Sequence, residues 1–409
     1  MPHAKAMTTT HSAARTTPHS TALALVNGRV LTDDELVEGR CVLVEHGRIV
    51  DVVDSADPRC AQVVQRDLGG NMLLPGLIDS QVNGGGGALF NDAPSVEVIR
   101  EIGRAHRKFG TTGFLPTLIS ADLDVVATAI EAVQNALTLG VPGVLGIHIE
   151  GPFLNVERKG IHDPEKIREL DPAAVRLLTS LRGGRTLVTL APEMTTPEKI
   201  KQLVMAGVVV SAGHTNATYA QIRSALRQGL TGFTHLFNAM SQITAREPGV
   251  VGAALDDSDS WCGIIVDGEH TDPVVLRIAM RCKRLDRFML VTDAMPSVGT
   301  DLKSFDLQGR NIAVSGNLCL DEDGRLAGSN IDMASCVRNA MSMLDLPLPE
   351  AVRMASLYPA QFLGLASEVG RIAPGYRANF VLADDQMRVL DTWIDGRSDL
   401  EESARTGGA

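Results

Sequence analysis

The sequence lacks the excess of positive charge that general nucleic-acid or anionic-membrane binding needs. Its 38 Lys and Arg face 49 Asp and Glu, a formal balance of −11 over 409 residues. Any phosphate it holds must therefore be met by a local site. The six cysteines, at 41, 60, 262, 282, 319 and 336, form no CxxC pair and no cluster. That argues against a disulfide framework or a zinc ribbon and suits a reducing cytoplasm. No apolar run approaches the roughly 20 residues that a membrane helix needs. The first twenty residues are polar, without a stretch of signal-peptide length; residues 1–20 are expected to be a disordered tail, with Met7 as an alternative start. What the chain does have is apolar content, 44% against 21% charged, enough for a large packed core. The expectation is a soluble cytoplasmic protein.

Two rhythms divide the chain. From Ala22 to about Leu73, and again in EVGRIAPGYRANFVLADDQMRVLDTWIDG, short Val-rich segments alternate at period two between Gly and Asp turns. Neither piece can bury a core alone, so residues 21–73 and 372–400 are expected to form one small β-sandwich domain from both termini. Residues 401–409 are expected to be a second disordered tail. Between them, over 74–371, eight apolar runs each precede a helical pattern: MLLPGLID (72–79), GFLPTLI (113–119), VLGIHIEG (144–151), TLVTLAP (186–192), VVVSAGHT (208–215), GFTHLFN (232–238), CGIIVDG (262–268) and RFMLVTDA (287–294). Eight buried strands alternating with helices predict an α/β fold, a (β/α)8 TIM barrel. A doubly wound sheet is the alternative, but no GxGxxG fingerprint follows a strand to favour it.

A barrel places its catalytic residues at the C-terminal ends of its strands. Glu150 ends VLGIHIE, His214 ends VVVSAGH, His235 lies in GFTHLFN and Asp293 ends FMLVTD. Singly, each reads as a buried hydrogen-bonding group. Four at one rim are harder to dismiss. Two imidazoles and a carboxylate are an ordinary ligand set for a catalytic Zn²⁺ or similar ion with a position left for water. Such an ion lowers the water pKa and polarises a carbonyl, and Asp293 is then the natural base. Metal-assisted hydrolysis follows from these residues alone. The glycine run 84–87 lacks the Lys-Ser/Thr of a phosphate loop and is read as a tight loop by the site. His148 shares a strand face with Glu150 and is read as support for it, with a plain core residue as the alternative, whereas His3, His11, His19, His46 and His106 are left as surface residues.

The motifs LLPGLIDSQVNGGGG, LGIHIEGPFLN, RKGIHDP, LAPEM, VSAGHTNAT, THLFNAM, REPGVVGAAL, VDGEH, LVTDAM and LAGSNIDM stand in this order between about Ala22 and Gly396. Together they resemble the N-acetylglucosamine-6-phosphate deacetylases of the amidohydrolase superfamily; HIEGPF followed by KGxHxP is the most specific pair. The resemblance implies a metal-dependent barrel with a small β-sandwich, working as a homodimer. It implies removal of acetate from N-acetyl-D-glucosamine 6-phosphate in amino-sugar catabolism or cell-wall recycling. Glu150, His214 and His235 would bind one divalent ion: zinc first, with iron, cobalt and manganese also tolerated. Asp293 would be base and then acid, and His162 would polarise the acetyl carbonyl. Ile161, Asn238, Ala239, Asp267, Gly268, Glu269, His270, Leu326, Ala327 and Gly328 would line the substrate pocket. Arg246 and His270 would hold the phosphate near the dimer contact, so either is a candidate for supply by the neighbouring chain.

One departure from the superfamily is informative. Where many amidohydrolases place HxH after the first strand, this chain has Gln81 and Asn83, which can hydrogen-bond a water but are poor metal ligands. The fourth-strand segment TLVTLAP has no Lys to carry a bridging carbamate. Both point to a single metal. The same chemistry on N-acetylgalactosamine 6-phosphate, and an inactive barrel used as a scaffold, are the two other readings. Retention of all four rim residues weighs against the scaffold.

Overall fold

A computed structural model describes residues 22–406; the N-terminal stretch expected to be a tail lies outside the described residues. Its centre is an eight-stranded parallel sheet in strict chain order. The strands are β1 (Leu77–Val82), β2 (Thr111–Ile119), β3 (Gly146–Glu150), β4 (Arg185–Leu190), β5 (Val209–Ala212), β6 (Gly232–Phe233), β7 (Trp261–Ile264) and β8 (Phe288–Leu290). Just beyond the strand ends the circle closes: Asp293 N–H donates to the Gln81 carbonyl at 3.0 Å, and Asn83 N–H to that of Ala294 at 2.9 Å. The chain is an α/β protein built on a (β/α)8 barrel. Strands covered on both faces are largely apolar, and β2 and β3 are buried at every position, Thr117 and His148 included.

The helices between strands form for legible reasons. Val96–Arg107 starts at Ser95, whose side chain accepts from Val98 N–H, and turns Ile99, Ile102, Ala105 and His106 inward. Pro197–Met205 has Thr196 as its cap and proline in the first turn. His106, read from sequence as a surface residue, is fully buried.

The two termini combine in one eight-stranded sheet, in which Leu23–Leu31 pairs with Leu36–Glu45, Val64–Asp67 and Met72–Pro75, and Met72–Pro75 pairs with Phe380–Ala383. The sheet folds back on itself, with Ile49 N–H donating to the Tyr376 carbonyl and Ala378 N–H to that of Gly47, both at 2.8 Å. Leu25, Val30, Val42, Phe380 and Trp393 pack inside it. The apolar run 72–79 is therefore two strands, the first in this sheet and the second in the barrel.

Two features depart from expectation. After β8 the chain forms an antiparallel meander of Ser304–Leu307, Arg310–Ser315, Leu318–Leu320 and Leu326–Ser329, which the barrel pattern did not foresee. The expected tail at 401–409 is helical over its described part, as the helix Asp399–Thr406. A buried arginine accounts for that helix. Arg107 reaches Glu402 at 2.6 Å, Asp399 at 3.4 Å and the Arg397 carbonyl at 2.7 Å, tying the barrel to the terminal sheet. Arg107→Ala should cost about 2–3 kcal/mol, less than a fully buried pair because both acids are partly solvated. A urea midpoint unchanged from wild type would show that the clamp contributes nothing.

Candidate active site

The strand ends turn sharply to aim their side chains across the barrel mouth. His214, His235 and Asp293 leave β5, β6 and β8 with φ of 49°, 33° and 53°, in the left-handed region that non-glycine residues avoid. This brings Glu150 Oε1 to 3.2 Å from His214 Nε2 and 3.0 Å from His235 Nε2, with the two imidazole nitrogens 3.1 Å apart. All three ligand atoms lie within 4.8 Å of one another, and all three residues are buried. His214 Nδ1–H donates to the Arg158 carbonyl at 2.8 Å, which leaves Nε2 a bare lone pair facing the other two groups. Such a convergence of acceptors fits a divalent cation. Burial alone would raise the Glu150 carboxyl, but the two imidazoles hold it well below the usual carboxylate range.

Asp293 stands beside this group. Its Oδ1 accepts from Asn83 Nδ2 at 2.6 Å and Gln81 Nε2 at 3.1 Å, while Gln81 Nε2 also reaches Glu150 Oε2 at 3.1 Å. Burial, and then the nearby Glu150, push the Asp293 carboxyl up to about 6. His162 approaches from the loop after β3, its ring centroid 4.4 Å from that of His214. Ser120 N–H donates to His162 Nδ1 at 3.2 Å, so the ring proton sits on Nε2. Burial and the neighbouring His214 keep His162 well below the usual histidine range, hence neutral. It is a hydrogen-bond donor. Beneath the site His148 bridges Thr117 Oγ1 at 3.3 Å and Thr189 Oγ1 at 2.8 Å, inside the barrel.

These groups open into a cavity of about 440 Å³. Of the residues expected to line the pocket, Ile161, Asn238, Ala239, His270, Leu326, Ala327 and Gly328 do so. Asp267, Gly268 and Glu269 do not; the Asp267 carboxylate instead accepts from His270 Nδ1–H at 2.6 Å and from the backbone N–H groups of Glu269 and His270. Gly328 must be glycine, since at φ +69° a Cβ would stand 2.6 Å from the Asp293 carbonyl. Arg246 does not line the cavity and sits exposed on the loop before the helix Gly249–Asp256. The cations that do line it are Arg158 and Arg325, which sequence reasoning missed along with Leu307, Met295 and Ser120. Arg158 lies inside the quoted motif RKGIHDP, and that proximity to His162 was the available signal.

Comparison with known proteins places this site in a class. The model of the amidohydrolase family matches residues 72–398, and the chain belongs to that family of metal-dependent hydrolases. The chain is 42% identical over 369 residues to N-acetylgalactosamine-6-phosphate deacetylase of Shewanella sp. (strain ANA-3), covering 90% of this chain and 93% of the relative. It is 37% identical over 377 residues to N-acetylglucosamine-6-phosphate deacetylase of Haemophilus influenzae, covering 91% and 98%. Among solved structures, N-acetylglucosamine-6-phosphate deacetylase of Pasteurella multocida superposes with a TM-score of 0.89 at 36% identity, over 92% of this chain and 99% of that one.

A buried carboxyl next to the site supplies a pH test. Asp79 in β1 accepts from Thr292 Oγ1 at 2.5 Å and from Gln81 N–H at 3.1 Å, yet burial outweighs these bonds and pushes it up to about 7. The folded chain then holds a proton that the unfolded chain releases near the ordinary value of 3.8, so stability falls as pH rises between these values and levels off above about 7. Asp79→Asn should remove that fall, gaining on wild type in urea midpoint between pH 5 and pH 8. A difference that is the same at both pH values would show that Asp79 is ionised when folded.

Proposed function

We propose that this protein deacetylates N-acetyl-D-glucosamine 6-phosphate, yielding D-glucosamine 6-phosphate and acetate, with one divalent ion held by Glu150, His214 and His235. The observation that carries the reading is the meeting, in one cavity, of that ligand set with a carboxylate of raised pKa and a neutral histidine donor. Bound there, the ion supplies a Lewis acid that eases ionisation of water and polarises the amide carbonyl.

The chain's own groups do the rest. His162 Nε2–H donates to the acetyl oxygen and stabilises the charge that builds there as water adds to the carbonyl carbon. Asp293, oriented by Asn83 and Gln81, takes the proton of the attacking water. It then gives that proton to the sugar nitrogen as the C–N bond breaks and acetate leaves. A carboxyl near 6 can serve in both directions at neutral pH.

His270 and Arg246 are proposed as the phosphate donors. The Asp267 carboxylate holds the His270 ring at Nδ1–H, and donation to the phosphate through Nε2 then requires a second ring proton. Arg246, away from its own chain's cavity, supports a homodimer in which it serves the partner's. Val274 and Ile278, four residues apart on the helix Pro273–Cys282 and each 52% exposed, offer an apolar stripe for such a contact. Zinc is the proposed ion; the ligand set also suits iron, cobalt and manganese. Six cysteines outside any disulfide support a cytoplasmic setting, and no helix among the described residues is long and apolar enough to cross a membrane. A second substrate, N-acetylgalactosamine 6-phosphate, is favoured by the 42% identical relative.

Acetate release from the two epimers by metal-analysed protein decides between them. Tenfold or greater preference for the galactosamine substrate would move the specificity claim, and absence of turnover on both would refute the substrate class. Asp293→Asn should keep its metal while losing roughly a hundred- to ten-thousand-fold in kcat. A rate near that of wild type would refute the proton-transfer role.

A further inference from the structure

Glu193, in the motif LAPEM, has no part in the chemistry above, yet three loops of the site meet at its carboxylate. It lies in the turn Pro192–Met194 that follows β4. Its Oε1 accepts from Asn155 Nδ2 at 2.9 Å and from Asn216 N–H at 2.6 Å, and its Oε2 from the Thr215 hydroxyl at 2.5 Å. Thr215 and Asn216 directly follow His214, and the His214 carbonyl accepts from Asn155 N–H at 3.0 Å. Asn216 continues the path: its Oδ1 accepts from Arg158 Nε and its Nδ2 donates to Glu157 Oε2 at 2.7 Å. The Arg158 carbonyl in turn receives His214 Nδ1–H. The hydrogen bonds thus form a ring around His214, with Glu193 as its one multiply bonded acid.

We propose that Glu193 is a positioning residue for His214. By fixing residues 215–216 behind the imidazole and residues 155–158 beside it, the carboxylate sets the direction of Nε2 and so the affinity of the site for its divalent ion. The need for such a hold is visible in the backbone, since His214 sits at φ 49° and would relax if the following turn were released. The same loop continues to His162, so one carboxylate aligns a metal ligand and the carbonyl donor together.

The proposal rests on the reading of Glu150, His214 and His235 as metal ligands, and the test separates the two. Wild type, Glu193→Ala, Glu193→Gln and Thr215→Val would be stripped with chelator. Zinc affinity would then be measured by chelator competition, the site by cobalt(II) absorption, and the stripped proteins by thermal unfolding. Wild type should take up one ion per chain, and Glu193→Ala should bind it about 10–100-fold more weakly with an altered cobalt spectrum. Glu193→Gln should stay within about threefold of wild type, because an amide oxygen still accepts from Asn155 and Asn216 while its NH₂ donates to Thr215. Thr215→Val, which removes the hydroxyl donor and also the acceptor of Ala217 N–H, should fall between. The stripped Glu193 variants should unfold at nearly the wild-type temperature. Wild-type zinc affinity in both Glu193→Ala and Thr215→Val would overturn this proposal alone, as would a loss in Glu193→Ala that follows lowered stability of its stripped chain. Absence of zinc uptake by wild type would overturn the metal reading and this proposal with it.

Discussion

A carboxylate buried against two imidazole nitrogens at 3.0 and 3.2 Å is the arrangement around which this barrel is organised. Ionised groups withdrawn from water are costly unless charge and hydrogen bonds compensate them. Glu150 is buried with His214 and His235 in the mouth of a barrel whose surrounding core is largely apolar. The imidazoles favour the charged carboxylate, and a divalent ion held there would complete the compensation. Once that set is fixed, the rest of the rim has its place: Gln81 spans Glu150 and Asp293, and His162 packs against His214.

Holding the set in place strains the backbone. His214, His235, Phe237, Ala239 and Asp293 all take positive φ, a cost of about 1–3 kcal/mol for each residue in sparsely populated backbone. Such strain persists only where the surroundings over-determine it. Here they do, through Thr215 N–H to Ala239, Leu236 N–H to Gly263 and Asp293 N–H to Gln81, each joining one strand end to another. The barrel is thus more than a scaffold for loops. Its closed ladder fixes the directions in which the exits of β5, β6 and β8 can point.

The barrel was legible because parallel strands covered on both faces read as continuous apolar runs, and polar residues at their ends stand out. Glu150, His214, His235 and Asp293 were visible on that ground before any resemblance was drawn. The meander of Ser304–Ser329 was less legible, since its strands are short and half exposed and carry no chemically distinctive residue. Its Gly309 and Gly316, both at positive φ, were the available turn signals. His106 was misread because helical spacing had to be combined with a partner remote in sequence, the Gly84 carbonyl 2.9 Å from Nε2. The helix Asp399–Thr406 was hidden for a similar reason: its partner Arg107 lies nearly 300 residues away and looks, in sequence, like any surface arginine.

Charge shows the same gap between what composition states and what folding arranges. A net balance of −11 disfavours the approach of an anion at long range, but screening confines that effect to about 10 Å at ordinary ionic strength. Closer in, the anion meets what the loops present. Arg158 and Arg325 line the cavity, and Lys159 is drawn below its usual range by burial and then by the like charges of Arg310 and Arg325. Carboxylates interleave with these cations: Asp163 and Asp321 act on Lys159 in the opposite sense, and Arg325 pairs with Asp323 at 3.0 Å. The lining thus interleaves Arg158 and Arg325 with Glu150, Glu157 and Asp293, and it is this local arrangement, rather than the net charge, that an anion meets on entry.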